Sequence, residues 1–168
     1  LLALASMPLA FTYPLMKRYT YWPQLFLGIT FNYGLILGWT SINNEISLIP
    51  LIFYFGAIFW TLGYDTIYGF QDLKDDEIIG LKSTSIKFKS KPNLFLNICY
   101  LILFFSLITI GYLMEYNIFY FIILIIVFFQ LFYFQLKKLK IDSQTSCLKI
   151  FKSNNVFGLI VFINLIIG

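Results

Sequence analysis

Long apolar stretches alternate with short polar breaks along the whole chain. Six apolar stretches cover approximately residues 1–14, 24–42, 50–71, 93–114, 117–136 and 154–168. Most of them approach the length of about 20 residues with which a helix crosses a bilayer. Pro50 and Pro92 stand where helices would begin, and Ser90 is a candidate helix cap. The pattern predicts an all-α fold, a polytopic transmembrane bundle of about six helices in a single domain over residues 1–168.

Composition agrees with a membrane protein and narrows the available chemistry. Apolar residues make up 60% of the chain, charged residues make up 12%, and mean hydropathy is +0.82. The chain begins at Leu1 and ends at Gly168 inside apolar stretches, so we expect it to be truncated at both ends. Histidine is absent, and Cys99 and Cys147 lack metal-ligand spacing, which excludes imidazole bases and the usual zinc sites.

The basic residues are confined to the first, third and fifth polar breaks. They are Lys17 and Arg18, then Lys74, Lys82, Lys87, Lys89 and Lys91, then Lys137, Lys138, Lys140, Lys149 and Lys152. The second and fourth breaks contain Glu45 and Glu115 and no basic residue. Breaks one, three and five therefore lie at one end of the bundle, which we call the basic end, and the positive-inside rule places it in the cytoplasm or the mitochondrial matrix. Basic residues spread over three loops with no recognition element exclude nucleic-acid binding.

Most of the acidic residues are gathered at the end of the third apolar stretch. They are Asp65, Asp72, Asp75, Asp76 and Glu77. If one helix runs through this segment, Asp65, Tyr68, Asp72 and Asp76 fall on one narrow stripe, with Asp75 beside it. Asp72 and Asp76, one turn apart, could share a hard cation, and oxygen ligands favour Mg²⁺ together with an anion such as a phosphate. The alternative is a solvated patch that pairs with neighbouring lysines, although Asp65 lies too deep in the apolar stretch for that interpretation.

The first basic loop could supply the cations that such a site needs. Pro14 and Pro23 restrict the backbone on either side of Lys17 and Arg18. The planar Arg18 guanidinium could bind a carboxylate or phosphate at two points. Alternatively, the loop is a positively charged membrane anchor flanked by interfacial aromatic residues. Residues 82–84, Lys-Ser-Thr, either reach the same anion or belong to an ordinary loop.

Two further features of the second apolar stretch allow structural or functional interpretations. Asn32 carries an amide into the membrane, where it could form an interhelical hydrogen bond or contact a ligand. Gly34 and Gly38 have the spacing of small residues at close helix contacts, and we assign them no chemical role.

Three motifs give the chain a specific resemblance. They read Tyr13-Pro-x-x-Lys-Arg-x-Thr-x-x-Pro-Gln, then Asn32 with Gly38-Trp39, then Asp65-Thr-x-Tyr-x-x-x-Asp-x-x-Asp-Asp-x-x-x-Gly-x-Lys-Ser-Thr84. In order and spacing across residues 4–88, they closely resemble the 4-hydroxybenzoate polyprenyltransferases of the UbiA superfamily. Members of that family have nine transmembrane helices, and the six stretches here resemble the fourth to the ninth.

The resemblance implies transfer of a polyprenyl chain from its diphosphate to 4-hydroxybenzoate, an early step of ubiquinone synthesis in the membrane lipid phase. Asp72 and Asp76 match the paired acids of the second Asp-rich motif, which holds Mg²⁺ against the diphosphate. Asp65 matches a further recurrent acid, Lys82 a basic residue near the diphosphate, and Arg18 a residue that binds the aromatic carboxylate or the diphosphate. The remaining candidate substrate-binding residues are Lys17, Asn32 and Tyr68.

One part of the family pattern is missing, and two alternatives remain open. The first Asp-rich motif, Asn-Asp-x-x-Asp, does not occur in these residues, so we expect the 168 residues alone to be inactive and the full-length parent to be an enzyme. A related transferase with another acceptor is one alternative. The other is a cation channel or transporter in which Asp65 lines a pathway open at both ends. A transferase should instead enclose a pocket between the acids, Arg18 and Lys82 at the basic end, beside an apolar tunnel.

The membrane that houses the protein follows from composition alone. A chain rich in Ile, Lys, Asn and Phe is typical of an AT-rich genome, and this favours a bacterial inner membrane over the mitochondrial inner membrane. The active site would then face the cytoplasm.

Overall fold

The apolar stretches fold into helices, which a computed structural model describes for residues 2–168. Within that range there are α-helices and no β-strand. In chain order the helices are α1 (Leu2–Thr12), α2 (Met16–Tyr19), α3 (Pro23–Phe31), α4 (Tyr33–Asn43), α5 (Leu48–Gly69), α6 (Leu73–Ile79), α7 (Thr84–Lys87), α8 (Pro92–Leu113), α9 (Ile118–Phe128) and α10 (Gln144–Ile167). A 3₁₀ turn, Tyr13–Leu15, joins α1 to α2, and a π-helix, Phe129–Leu136, continues α9.

Five continuous helical segments, which we call rods, are long and apolar enough to cross a membrane. Two of them combine neighbouring elements, α3 with α4 and α9 with the π-helix. The five rods are Pro23–Asn43, Leu48–Gly69, Pro92–Leu113, Ile118–Leu136 and Gln144–Ile167. They correspond to the second to sixth predicted stretches, and the chain is therefore a multi-pass membrane protein, as the sequence predicts. The first predicted stretch forms α1, whose 11 residues fall short of a bilayer.

Two helix boundaries differ from the sequence prediction. The last rod begins at Gln144, ten residues before the predicted 154, because Lys149 and Lys152 lie on exposed positions of a continuing helix and do not interrupt it. Ser143 caps this helix by accepting a hydrogen bond from the Ser146 backbone N–H at 3.3 Å. Pro92 opens α8 as predicted, but the cap position is Lys91 and not Ser90.

The core forms where α5 packs against α8, with α3 and α10 on its flanks. Gly28 permits the close approach of α3, because a Cβ there would lie 2.8 Å from the Ile58 carbonyl oxygen. Gly34 and Gly38 behave differently: nothing lies within 4 Å of the place where their Cβ atoms would be. The close helix packing predicted for this pair is therefore wrong within the described part of the chain.

A buried polar network connects four rods in the interior of the bundle. Asn154 Oδ1 accepts hydrogen bonds from the Trp60 indole N–H at 2.8 Å and from Gln135 Nε2 at 3.1 Å. Tyr100 donates to Gln135 Oε1 at 2.6 Å. Because hydrocarbon offers polar groups no other partner, such bonds hold α5, α8, the π-helix and α10 in one register.

The two ends of the bundle are arranged as the charge pattern predicts. Break three contacts break one, where the Lys82 backbone N–H donates to the Lys17 carbonyl at 2.9 Å. It also contacts break five, where Gln144 Nε2 donates to the Gln71 carbonyl at 2.9 Å. All three basic breaks therefore share one end.

Candidate active site

The helix that carries Asp65 ends before it reaches the other acids. α5 stops at Gly69, the chain turns through the buried Phe70, and Asp72 occupies the position before α6. The single stripe predicted for Asp65, Tyr68, Asp72 and Asp76 on one helix is therefore wrong. At the end of α5 the Gly69 backbone packs directly against the Ser85 hydroxyl, where any Cβ would clash.

Asp72 and Asp76 nevertheless remain one helical turn apart. The Asp76 backbone N–H donates to the Asp72 carbonyl at 2.9 Å, so Asp72 at the cap position and Asp76 within α6 are linked by the first turn of this helix. Asp72 is exposed and Asp76 is half-buried. α6 then ends at Gly80, whose φ of +79° is left-handed, and the Leu81 N–H returns to the Asp76 carbonyl at 2.9 Å. This tight ending turns the chain towards Lys82.

Lys82 lies against the first basic loop. Besides its backbone bond to Lys17, its ammonium donates to the Tyr19 carbonyl at 3.3 Å and lies 5.7 Å from the centre of the Tyr21 ring. Two of its three donors remain available. Lys17 and Arg18 form the exposed last turn of α2, beside this contact.

Asp65 is half-buried and interacts with the same loop. The Lys17 ammonium is close enough for its charge to act on the Asp65 carboxylate. Tyr68, one turn further along α5, is 41% exposed and packs against Phe151 with ring centres 4.7 Å apart and the rings tilted by 47°. The structure thus connects Asp65, Lys17 and Lys82 through one loop and leaves Tyr68 on the α10 side.

The acids differ in whether a cation already neutralises them. Over residues 2–168 the one salt bridge joins Glu77 to Lys89 at 2.5 Å. The solvated-patch interpretation therefore applies to Glu77. Asp65, Asp72 and Asp76 have no lysine or arginine partner at ion-pair distance in that range, so pairing with lysines is not observed for them, although Asp72 is exposed to solvent.

These acids suit a hard cation only in part. Within the described residues no group of three or more Asp, Glu, Cys or His side chains converges as a ready metal site. Mg²⁺ is commonly held by one or two carboxylates with several waters and the phosphates of a substrate. Asp72 and Asp76 fit that requirement as a carboxylate pair, and phosphate oxygens would complete the coordination.

The residues after Lys82 belong to the scaffold. Ser83 and Thr84 are 1% and 0% exposed. The Thr84 and Thr66 hydroxyls are 2.6 Å apart, and the Thr84 N–H donates to Gln24 Oε1 at 3.0 Å. The interpretation in which Ser83 and Thr84 reach the anion is therefore wrong. Sequence reasoning missed the role of Gln24 and Thr66, since only their unusual polarity in apolar stretches marks them.

Asn32 acts as an interhelical bridge at the bend between α3 and α4. Its amide nitrogen donates to the carbonyls of Gly28 at 2.8 Å and Ala57 at 3.2 Å, and to the Thr61 hydroxyl at 2.8 Å. These contacts favour the structural alternative for the Asn32 amide nitrogen. Thr61 precedes Asp65 by one turn, so the bridge lies just beneath the candidate site.

An apolar groove begins at this bridge. A cavity of about 270 Å³ is lined by Asn32, Trp60 and Phe157 among others, and one of about 410 Å³ follows it towards the opposite end of the bundle. The two share Leu35, Phe53 and Leu165. From Asn32 to Asn43 the groove follows α4 for about 16 Å, a length suited to a hydrocarbon chain.

The enclosed pocket that the sequence predicted between the acids and Arg18 is not observed. No principal cavity of residues 2–168 is lined by both Arg18 and the Asp72–Asp76 pair. The nearest cavity, of about 480 Å³, lies on the other side of α6 and is lined by Gln71, Asp75 and Gln144 among others. The prediction of an enclosed pocket between these acids and Arg18 is therefore wrong for the part of the chain that the structure describes.

Comparison with known proteins agrees with the geometry. The UbiA prenyltransferase family matches residues 1–166. The chain is 41% identical over 168 residues to the mitochondrial 4-hydroxybenzoate polyprenyltransferase of Bos taurus, covering 99% of the chain and 45% of that protein. It is 38% identical to the 4-hydroxybenzoate octaprenyltransferase of Pasteurella multocida (95% of the chain, 55% of that protein). It is 36% identical to 4-hydroxybenzoate geranyltransferase 2 of Lithospermum erythrorhizon (99% of the chain, 55% of that protein).

These matches cover only part of each relative. The chain spans about half the length of the curated relatives that it matches. No solved structure matches it significantly.

Proposed function

Because the chain belongs to the UbiA prenyltransferase family, we propose that its full-length protein transfers a polyprenyl group from the diphosphate to 4-hydroxybenzoate in ubiquinone synthesis. The relatives at about 40% identity carry that activity in their names. The single observation that carries the proposal is a set of acids next to a loop of cations, without ion-pair partners among residues 2–168, with Asp65 one turn from the Asn32 bridge at which an apolar groove begins.

The proposed reaction breaks one bond and forms another, and the residues of the site have different roles in it. The bond between the prenyl carbon and the diphosphate oxygen breaks, and diphosphate leaves with the electron pair. The prenyl carbon then bonds to the ring carbon ortho to the phenol, and the ring proton passes to water or to an aspartate. Mg²⁺ held by Asp72, Asp76 and the diphosphate oxygens would neutralise the charge that develops on the leaving group.

The cations of the loop bind the two anionic substrates. Lys82, with two free donors, and Lys17 bind diphosphate oxygens. The Arg18 guanidinium binds the carboxylate of 4-hydroxybenzoate or the diphosphate. The groove beneath Asp65 receives the prenyl chain and keeps water from the allylic carbon.

The proposal also includes the metal requirement, the inactivity of the 168 residues alone and the membrane in which the protein lies. Mg²⁺ is required for transfer, and the 168 residues alone are inactive because they carry only the second Asp-rich motif. The bacterial inner membrane, with the site facing the cytoplasm, is proposed from composition alone, because the relatives include both mitochondrial and bacterial proteins. No observation favours the alternative acceptors, the cation channel or the transporter.

A transfer assay on the protein encoded by the complete reading frame tests the proposal. Membranes containing it are supplied with a polyprenyl diphosphate and 4-hydroxybenzoate, with and without Mg²⁺, and the prenylated acid is measured by chromatography. Homogentisate and dihydroxynaphthoate serve as competing acceptors, and the 168-residue chain is assayed in parallel. We expect Mg²⁺-dependent product with 4-hydroxybenzoate alone and none from the fragment; preference for another acceptor, or an active fragment, would contradict the corresponding part.

A further inference from the structure

A basic cavity lies at the basic end of the bundle, away from the candidate active site. It has a volume of about 370 Å³ and lies between the end of the π-helix and the first turns of α10. The residues that line it are Phe134, Lys138, Lys140, Thr145, Ser146, Lys149 and Ile150. Three lysines and two hydroxyls therefore surround one space, and no acid is among the lining residues.

The lysines of this cavity, Lys138, Lys140 and Lys149, have not been neutralised within the chain. All three are exposed, and none forms a salt bridge in the part of the chain that the structure describes. Ser146 Oγ accepts a hydrogen bond from the Lys140 backbone N–H at 3.1 Å, which leaves its hydroxyl proton free to donate. Like charges around one space repel, so the cavity favours an anion with several acceptor oxygens.

The cavity lies at the depth of a membrane interface. The Lys137 ammonium is 4.9 Å from the centre of the Tyr133 ring, and the Lys138 ammonium is 4.8 Å from that of Phe134. Tyr133 is 52% exposed, and Phe129, one turn deeper, is 58% exposed. Aromatic rings and snorkelling lysines at one level are typical of the boundary between headgroups and acyl chains.

The walls of the cavity change from polar to apolar in the direction of the membrane. Lys138, Lys140 and Lys149 provide the polar part, and Phe134 and the buried Ile150 provide apolar walls. Phe134 belongs to the π-helix, which also exposes Phe129 and Tyr133. A soluble phosphate would satisfy the lysines and leave the apolar walls in contact with water. A phospholipid satisfies both parts.

We propose that this cavity binds the headgroup phosphate of an anionic phospholipid, with Lys138, Lys140 and Lys149 as its ligands. The third break contains five lysines, as the fifth does, but in the described part of the chain they do not surround such a cavity. Lys89 is paired with Glu77, and Lys87 lies over the Trp22 ring at 4.3 Å. The positive-inside rule explains both groups of lysines but not the cavity. The inference concerns lipid binding and does not depend on the proposed transferase activity.

Lipid retention by the complete protein tests this site. The protein is extracted from vesicles of phosphatidylcholine that contain a minor fraction of phosphatidylglycerol, and the retained lipids are identified by native mass spectrometry. Lys138→Gln combined with Lys149→Gln is compared with the wild type, with the matched pair Lys87→Gln and Lys91→Gln, and with the charge-preserving pair Lys138→Arg and Lys149→Arg. Near a membrane surface two lysines account for a change in affinity of about tenfold or more.

Each outcome decides the proposal. Retention of phosphatidylglycerol by the wild type, the matched pair and the arginine pair, with about tenfold less retention in the first glutamine pair, would support it. Equal retention in all variants, or equal retention of phosphatidylcholine, would overturn it. Release of the lipid by millimolar inorganic phosphate would assign the cavity to a soluble anion and would also overturn it.

Discussion

Two polar regions of this bundle differ in whether their side chains have partners within the protein. In the interior, Trp60, Tyr100, Gln135 and Asn154 satisfy one another through hydrogen bonds that join four rods. At the basic end, Asp72 and Asp76 lie one turn apart with no ion-pair partner in the described residues. Both regions place polar groups in or beside an apolar environment, where burying an unpaired group destabilises the protein by about a few kcal/mol.

The difference separates architecture from function. A polar group with internal partners contributes to stability and leaves nothing for a ligand, as in the interior network. A charged group without a partner keeps its capacity for a ligand, and a pair of like charges requires one of opposite sign. On this criterion the network belongs to the scaffold, and Asp72 and Asp76 are assigned to the site.

The largest effect should follow from removing the charge of an unpaired acid. In the complete protein, Asp76→Asn should lower the rate of prenyl transfer by about a hundredfold or more, because the cation that offsets the leaving-group charge loses a ligand. The thermal midpoint should stay within a few degrees of wild type, since the Asp76 side chain forms no ion pair with any residue between 2 and 168. Transfer rate and thermal unfolding are measured on the same preparation; a variant that is destabilised by several degrees yet transfers at the wild-type rate would reverse the assignment.

The opposite result is expected when the network is broken. Asn154→Leu removes the acceptor shared by Trp60 and Gln135 and should destabilise the protein by about 1–3 kcal/mol. The neighbouring Asn155 is exposed, so Asn155→Leu is a matched control for the change in side-chain chemistry. Unfolding of both variants in detergent with a denaturant gives the comparison, and equal stability would show that the network does not hold the rods together.

A smaller loss is expected at the contact that positions Lys82. Thr84→Val replaces the hydroxyl that lies 2.6 Å from Thr66 and keeps the shape, at a cost of about 1 kcal/mol. Because α7 anchors the segment that carries Lys82, the Michaelis constant for the prenyl diphosphate should rise while Thr84→Ser restores it. A wild-type Michaelis constant in Thr84→Val would separate this contact from the site.

The smallest effect is expected at the acid that already has a partner. Glu77→Gln breaks an exposed salt bridge with Lys89 and should change stability by less than about 0.5 kcal/mol. Transfer should remain at the wild-type rate, which makes this variant the matched control for Asp76→Asn, one residue away. A loss of transfer comparable to that of Asp76→Asn would mean that pairing does not distinguish the acids.

The rods and their orientation could be predicted from the sequence because they depend on local properties. Hydropathy located five rods, and the confinement of lysine and arginine to alternate breaks predicted which loops meet. The start of α10 was missed because Lys149 and Lys152 were interpreted as loop residues, although charged side chains at an interface can continue a helix.

The site was predictable only as a set of residues. Neither a proline nor a change of periodicity marks the break after Gly69 in the sequence. Asn32 and Thr84 look like ligands because they are polar in apolar surroundings, and only the tertiary structure shows that their partners are Thr61, Thr66 and Gln24. Local pattern identifies unusual polar groups, and packing decides which of them are free.

The central claim is that Asp72 and Asp76 bind a divalent cation together with the diphosphate of the prenyl donor. The most direct measurement is calorimetric titration of the complete protein with a prenyl diphosphate, with and without Mg²⁺, in the wild type and in Asp72→Asn combined with Asp76→Asn. We predict that Mg²⁺ tightens donor binding by about tenfold or more in the wild type and has no effect in the double variant. Equal tightening by Mg²⁺ in both proteins would contradict the account.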